Sequence, residues 1–561
     1  MLRLGLSWLV IAVPAVASAQ RFGDATDRCF GTTAEWTNRA EIADLDGEGQ
    51  LDVVLANGGD DATAGTAAPV RAWRNLGAWG TPGVRCTEIT ADLGLTGLSR
   101  VVRAVDVDGD GDQDLIAGGA YQTQLRLLLR GTGGWIDGTS QLPQQLTSAG
   151  DVEAGDVDGD GDLDLVIAEW GSELPTPTYP GGRTRLYLNN GSGTFTDATA
   201  TRMPDVLVRW SKDVEVFDVN GDWNLDIVVA STYDSGSFVF LNDGTGRFTN
   251  FANALSGIVT EDLEPMDLDG DGDLDLVALD VGPELRERFL YRIASGTFAD
   301  ASATVLPGDA NPIAADDSAA IGVDVNGDGR LDIVIGGRGG DRLLVQQADG
   351  TFVAETATPD DTPSTLGLAA GDLDGDGRLD LVNVQGDLAS ADKLQLGSTV
   401  AVDDTAPVVM VEEQLGSVVN GALHAFVHDR LAPSRPHDFT RVWIEHDGIR
   451  AAFETPPAPN IETDMTWIGG SLWVTPQLLG VSNYRVCARD RRDLVGCSDW
   501  VWVYAYPIHD GPFLAPDAPS GVPTQPVETQ PGGCCDAGAP SSASALASLV
   551  MLGLVRRRRR R

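Results

Sequence analysis

Asp156-Val157-Asp158-Gly159-Asp160-Gly161-Asp162-Leu163-Asp164, running into Leu165-Val166-Ile167-Ala168, is the stretch on which the reading of this chain turns. It sets oxygen-bearing side chains at positions 1, 3, 5 and 9 of a nonapeptide, with glycines between them that allow a tight turn. An apolar, β-branched segment follows at once, as a strand would. The pattern Asp-x-Asp/Asn-Gly-x-x-x-x-Asp recurs seven times, starting at Asp44, Asp106, Asp156, Asp218, Asp267, Asp324 and Asp372, at spacings of 62, 50, 62, 49, 57 and 48 residues. Such a period is that of repeat folds built from one four-stranded unit.

Between the loops lies a second recurring element, a Gly-rich turn leading into an aromatic strand around Trp135, Phe195, Phe248, Phe298 and Phe352. Apolar runs such as Leu186-Tyr187-Leu188, Phe238-Val239-Phe240 and Leu343-Leu344-Val345 precede it. Each unit therefore reads as strand, acidic loop, strand, connection, strand, hairpin, strand, and the expected fold is an all-β, seven-bladed β-propeller over residues 20–401. The seventh unit lacks its aromatic fourth strand before Asp403. Arg21 to Thr26 at the other end of the chain is expected to supply it and close the ring, which removes exposed sheet edges.

The loops offer hard oxygen donors and neither nitrogen nor sulfur, which suits calcium better than magnesium or zinc. The expected ligands are Asp44, Asp46, Glu48 and Asp52; Asp106, Asp108, Asp110 and Asp114; Asp156, Asp158, Asp160 and Asp164; Asp218, Asn220, Asp222 and Asp226; Asp267, Asp269, Asp271 and Asp275; Asp324, Asn326, Asp328 and Asp332; and Asp372, Asp374, Asp376 and Asp380. Up to seven Ca2+ ions are expected. Loops 1, 4 and 6 should bind more weakly, because of Glu48, of Trp223 where glycine is usual, and of Asn326. A helix-loop-helix calcium site would carry a bidentate glutamate at position 12. Here that position holds Leu55, Ala117, Ile167, Val229, Ala278, Ile335 and Asn383, so the helical reading fails.

Acidic residues outnumber basic ones by 83 to 39, a formal charge of −44, and the seven loops hold 29 of the carboxylates. Seven divalent cations would cancel 14 charges, so the body stays acidic and nucleic acid is excluded as a partner. Residues 1–19, with Arg3, an apolar run and Ala17-Ser18-Ala19, read as a secretory signal peptide. An oxidising destination then permits disulfides, expected between Cys487 and Cys497 and between Cys29 and Cys86. After Asp404-Thr405-Ala406-Pro407 the pattern changes, and residues 402–510 read as a small β-sandwich of immunoglobulin or fibronectin type. Residues 511–533 are a Pro/Gly-rich linker. The tail, 534–561, opens on Cys534-Cys535, continues through a short, weakly apolar stretch and ends in six arginines, a marginal membrane anchor.

The strands and Asp-x-Asp-Gly-Asp-Gly-x-x-Asp loops resemble the FG-GAP/VCBS repeat family, which includes the calcium-bearing propeller of integrin α chains. That resemblance implies the fold and the metal but names no ligand, since the Phe-Gly and Gly-Ala-Pro signatures of integrin repeats are largely absent. The tail is similar to the myxobacterial-type (MYXO-CTERM-like) C-terminal sorting signal, which implies processing near the cysteines and retention at the surface of a bacterium.

The acidic loops join strands 1 and 2 of each blade, so the opposite face collects Trp36, Arg100 and Trp210 from the crossings between blades. The connections between strands 2 and 3 bring Tyr121, Trp170, Tyr179 and Tyr233 to the same face. Exposed aromatic rings on loops suit sugars or protein partners, and a polysaccharide or protein ligand is expected there. All five histidines lie beyond the propeller, which excludes Ser-His-Asp and Cys-His catalysis within it. His424 and His428 share a strand face and are expected to be solvated rather than to ligate zinc. The function expected is adhesion or recognition at the cell surface by a calcium-binding propeller, without catalysis. The alternatives are a carbohydrate-active hydrolase or lyase using Glu261, Asp262, Glu264, Asp316 and Asp317, and a structural envelope protein.

Overall fold

Among the described residues of the computed structural model, seven antiparallel sheets each contain a four-strand series that carries one acidic loop. The structure describes residues 21–59, 66–171, 181–233, 236–280, 286–294, 296–306, 308, 317–356, 364–386, 390–412, 419–446, 461–481 and 483–502. In sheet 3, Ala149–Gly155, Asp164–Glu169, Arg185–Leu188 and Thr196–Asp197 pair in chain order. The first strands of the other sheets are Thr37–Ala43, Ser99–Val105, Val214–Phe217, Thr260–Met266, Asp317–Val323 and Thr365–Gly371. These lie side by side in chain order, and Thr37–Ala43 touches both Ser99–Val105 and Thr365–Gly371, so the series closes on itself in a β-propeller-like arrangement.

The second strands show why the sequence after each loop is uninterruptedly apolar. Asp164–Glu169, Asp275–Asp280 and Asp332–Gly337 are buried at every residue, because both faces of each sheet are covered by its neighbours. Apolar clusters fill the gaps, such as Val166, Leu186, Val216, Ile227 and Phe240 between sheets 3 and 4.

Sheet 7 takes its fourth strand from the start of the described chain: Phe22–Asp24 pairs antiparallel with Lys393–Gly397, with Phe22 opposite Gly397. Phe22 is fully buried against Val323, Leu343 and Leu381. Downstream, Cys29 is bonded to Cys86 on the outermost strand of sheet 1, tying the closing strand to the neighbouring unit.

The C-terminal strands form two sheets around a single core. Val408–Val411, His424–His428, Leu472–Val474 and Thr466–Gly469 make one, and Ile461–Asp464, Phe439–His446, Asn483–Asp490 and Val495–Cys497 the other. Val427, Ile444, Trp473, Tyr484 and Val486 meet between them, and Cys487 and Cys497 are bonded across the last hairpin. The first of these sheets continues sheet 3 through Gly469 opposite Gly155, and Leu431–Ala432 extends sheet 6 beside Gly322 and Val323. The C-terminal strands thus rest on the acidic-loop side of the ring, where Asp156 N donates to Ile468 O at 2.7 Å and Arg491 and Arg492 reach the carbonyls of Gly49 and Asp376. The described residues, which run from 21 to 502, belong to one compact unit; the expected signal peptide, linker and sorting tail lie outside the described residues. No helix among the described residues is long and apolar enough to cross a membrane.

Candidate functional site: acidic loops, channel and aromatic mouth

All seven loops share one hydrogen-bonding scheme. The position-1 carboxylate accepts from the backbone N–H of positions 4 and 6, as Asp156 does from Gly159 (2.8 Å) and Gly161 (3.0 Å). The position-9 carboxylate accepts from position 2 and from the third strand, as Asp164 does from Val157 (3.2 Å) and Asn189 (2.8 Å). This bends the loop around its own carboxylates and demands the left-handed backbone that Gly159 and Gly161 adopt, at φ 75° and 96°. Loop 4 departs from the scheme in one respect: Trp223 occupies position 6 at φ 66°, a conformation that costs a residue with a Cβ about 1 kcal/mol or more. Its ring stacks on His424 of the C-terminal strands, 6.3 Å between centroids.

The carboxylates at positions 1, 3 and 9 of loops 1, 2 and 3, and at positions 1, 3 and 5 of loop 5, bring oxygens within 4.8 Å of one another. Burial, with neighbouring like charges, pushes Asp164 up to about 8 and Asp114 and Asp275 up to about 7. A hard divalent cation fits this donor set, because it would supply the charge these carboxylates lack. Loops 6 and 7 differ in a way the residue types at positions 1, 3, 5 and 9 do not reveal: Arg330 and Arg378, at position 7, turn back onto the position-5 carboxylates Asp328 and Asp376.

Along the first strands, residues two apart share a face, and that face looks onto the ring axis. It carries Arg39 and Glu41, Arg103, Asp151 and Glu153, Asp213 and Glu215, and Asp262 and Glu264, all buried or nearly so. Arg39 bridges Asp213 (3.1 Å) and Asp262 (3.3 Å). Arg103 meets Glu41 (3.4 Å), Asp151 (3.3 Å) and Glu153. Arg435, from the C-terminal strands, enters from the loop side and pairs with Glu153 at 3.1 Å. Burial alone would raise Asp151, but Arg103 and Arg39 hold it below the usual carboxylate range. Asp213, Glu215 and Glu264 are instead held well above it, by burial first and then by neighbouring carboxylates, Asp262 beside Asp213 and Glu264, and Glu153 beside Glu215. Only Asp262 and Glu264 of this network were singled out by sequence. The missed signal is a local one: a charged pair two residues apart begins five residues before loops 1, 3, 4 and 5, at Arg39, Asp151, Asp213 and Asp262.

At the opposite end of the channel from the acidic loops, four of the expected ligand-face aromatics come together. Tyr121 meets Trp170 edge-on at 6.2 Å, Trp170 lies 5.5 Å from Trp210, and Trp210 stacks on Tyr233 at 5.6 Å and 10°. The Arg100 guanidinium sits over Trp170 (5.0 Å) while donating to Asn38 Oδ1 at 2.9 Å. Lys212 lies 5.8 Å over Trp210 and pairs with Glu261 at 2.8 Å. Trp170, Arg100, Lys212 and Glu261 line one depression with Arg39 at its floor, so the ladder borders the channel mouth. Tyr233 at the far end is 49% exposed. Trp36 is partly buried and joins no ring pair among the described residues, and Tyr179 lies outside them.

The carboxylates considered for catalysis are dispersed. Asp262 and Glu264 are inside the channel, Glu261 is at the mouth, Asp317 pairs with Arg342, and Asp316 lies outside the described residues. His428 is a correction to the sequence reading. It lies half-buried beside Phe426, on the strand face turned away from the C-terminal core, and burial, then Arg430, lowers it to about 4. His424 Nδ1 donates to the Glu412 carboxylate at 3.0 Å.

Comparison with known proteins bears on the repeats. The FG-GAP-like repeat family matches residues 57–167, 178–229, 218–278 and 324–382, and the chain carries FG-GAP-like repeats. No curated protein matches the sequence. Among solved structures, BBS1N in complex with ARL6DN, soaked with mercury, is 13% identical over 68% of this chain and 99% of that one, with a TM-score of 0.42. The same complex soaked with lead gives 12%, 68%, 98% and 0.42. The Photorhabdus luminescens Tc holotoxin pore is 14% identical over 85% of this chain and 26% of that one, with a TM-score of 0.27.

Proposed function

We propose that this chain of FG-GAP-like repeats is a secreted, surface-retained, calcium-loaded seven-bladed propeller, backed by an immunoglobulin-like sandwich, that recognises an extended polysaccharide without turning it over. The observation that carries this reading is the ladder of Tyr121, Trp170, Trp210 and Tyr233, drawn from three successive sheets and flanked by Arg100 and Lys212. Flat apolar rings in series suit successive sugar faces, and the cationic groups beside them supply hydrogen-bond donors in an otherwise acidic molecule. Calcium fits as the structural partner, holding together carboxylates that burial would otherwise keep protonated or repelling. Loops 2, 3 and 5 have the donor sets best suited to it.

A glycan array probed with the full chain in millimolar calcium, and again with chelator, tests the reading. The expected result is binding to a polysaccharide that Trp170→Ala weakens at least tenfold, the loss of one anchoring ring being worth about 2 kcal/mol. A blank array would move the assignment to a protein ligand, and binding unaffected by Trp170→Ala would remove the ladder from it.

A further inference from the structure

The axial channel holds a second acidic cluster, separate from the seven loops. Asp151, Asp213 and Glu215 bring three carboxylate oxygens within 4.8 Å of one another, with all three residues buried. The neighbouring strand adds Glu264, 8% exposed, whose Oε2 has no hydrogen-bond partner among the described residues. Asp213, Glu215 and Glu264 line one cavity of about 70 Å³, ample for an ion with some of its water. A carboxylate oxygen buried without a donor is costly unless a cation or water meets it.

Charge points the same way. The facing groups are seven carboxylates (Glu41, Asp151, Glu153, Asp213, Glu215, Asp262 and Glu264) and three guanidiniums (Arg39, Arg103 and Arg435), an excess of four negative charges when every group is ionised, which a cation or bound protons must offset. The arginines are already committed to Glu41, Asp151, Glu153, Asp213 and Asp262, and none pairs with Glu215 or Glu264 among the described contacts. We propose that the channel binds one hard divalent cation of calcium's class between Asp213, Glu215 and Glu264, with Asp151 on its flank. The all-oxygen donor set selects against zinc and copper, and His437 at the cavity edge is engaged with Asp438 at 3.7 Å. Segment Pro433–His437 lies across the loop side of the cavity, so the ion would link the C-terminal strands to sheets 3, 4 and 5 through Arg435 and Glu153.

The test is the number of calcium ions per chain, by equilibrium dialysis and elemental analysis of the full chain, for wild type and Glu215→Gln/Glu264→Gln. The proposal expects the variant to hold one ion fewer, while Glu261→Gln at the mouth holds the wild-type number. An unchanged count in a variant with wild-type circular dichroism overturns it, and leaves two protonated glutamates as the account of the channel. Should the variant not fold, wild-type crystals soaked in terbium decide: anomalous density between Glu215 and Glu264 supports the site, and an empty channel beside occupied loops overturns it. Neither result depends on whether a glycan binds at the mouth.

Discussion

Gly150 shows how much one missing methyl group can decide. It lies in the first strand of sheet 3, where a Cβ would overlap the Ser211 carbonyl oxygen and the Trp170 indole nitrogen. The indole therefore lies flat across the strand, within reach of Arg100 on one side and Trp210 on the other. Gly150→Ala is expected to cost about 1–3 kcal/mol of stability through overpacking. It should also displace Trp170 and weaken ligand binding about tenfold. Paired thermal unfolding and titration calorimetry check this, and a variant binding as wild type would mean that Trp170 does not contact the ligand. The acidic loops, by contrast, were readable residue by residue. The aspartates at positions 1 and 9 each have a local partner within nine positions, and the left-handed turns call for glycine, so composition and spacing made these turns legible. Trp223 reads as a defect in that frame until its stacking partner is known, and His424 is 201 positions away.

Among the elements, Phe22–Asp24 matters out of proportion to its three residues. Its neighbour in the sheet is more than 370 positions later in the chain, and Phe22 fills a pocket between sheets 6 and 7. Phe22→Ala should cost about 3–5 kcal/mol, read from the midpoint of urea unfolding. A loss below about 1 kcal/mol would mean that the ring does not depend on this strand. The strand His424–His428 carries a pH dependence. His428 is lowered to about 4 in the fold against 6.5 unfolded, so its contribution is intact above pH 6.5 and is lost as pH falls toward 4. At pH 5 the loss is roughly 2 kcal/mol. Asp429, raised to about 8 by burial and then by Asp403, works in the opposite direction, gaining stability as pH falls. The diagnostic is therefore the difference between wild type and His428→Gln: the variant should lose less stability between pH 7 and pH 5, and equal losses would show that His428 is hydrated in the fold.

For the whole molecule, the expected dependence is on calcium. Each occupied loop would add about 2.7 kcal/mol at a hundredfold excess over its Kd, so chelation at neutral pH should lower the melting temperature by roughly 10 °C or more. Magnesium at the same concentration should restore less, because it demands a smaller and stricter octahedron. A melting curve indifferent to chelator would sink the assignment of metal to the loops.

What the sequence by itself determined were the features with short-range causes. The seven loops, the strands that flank them, the aromatic fourth strands and the hairpin cysteine pair Cys487–Cys497 each follow from residue types at short local offsets, where a turn needs glycine and a buried strand needs β-branched side chains. Tertiary structure alone decided what faces what across the ring. Tyr121, Trp170, Trp210 and Tyr233 become a ladder because three sheets converge on one mouth, while Trp36, of the same type and from the same kind of crossing, joins no ring pair among the described residues. The recurring charged pairs at Asp151, Asp213 and Asp262 were visible but mute, since strand alternation leaves open which side is solvent and which is axis. Closure of the ring turns that side inward, where the low dielectric makes each unmatched carboxylate expensive and gives a cation reason to bind.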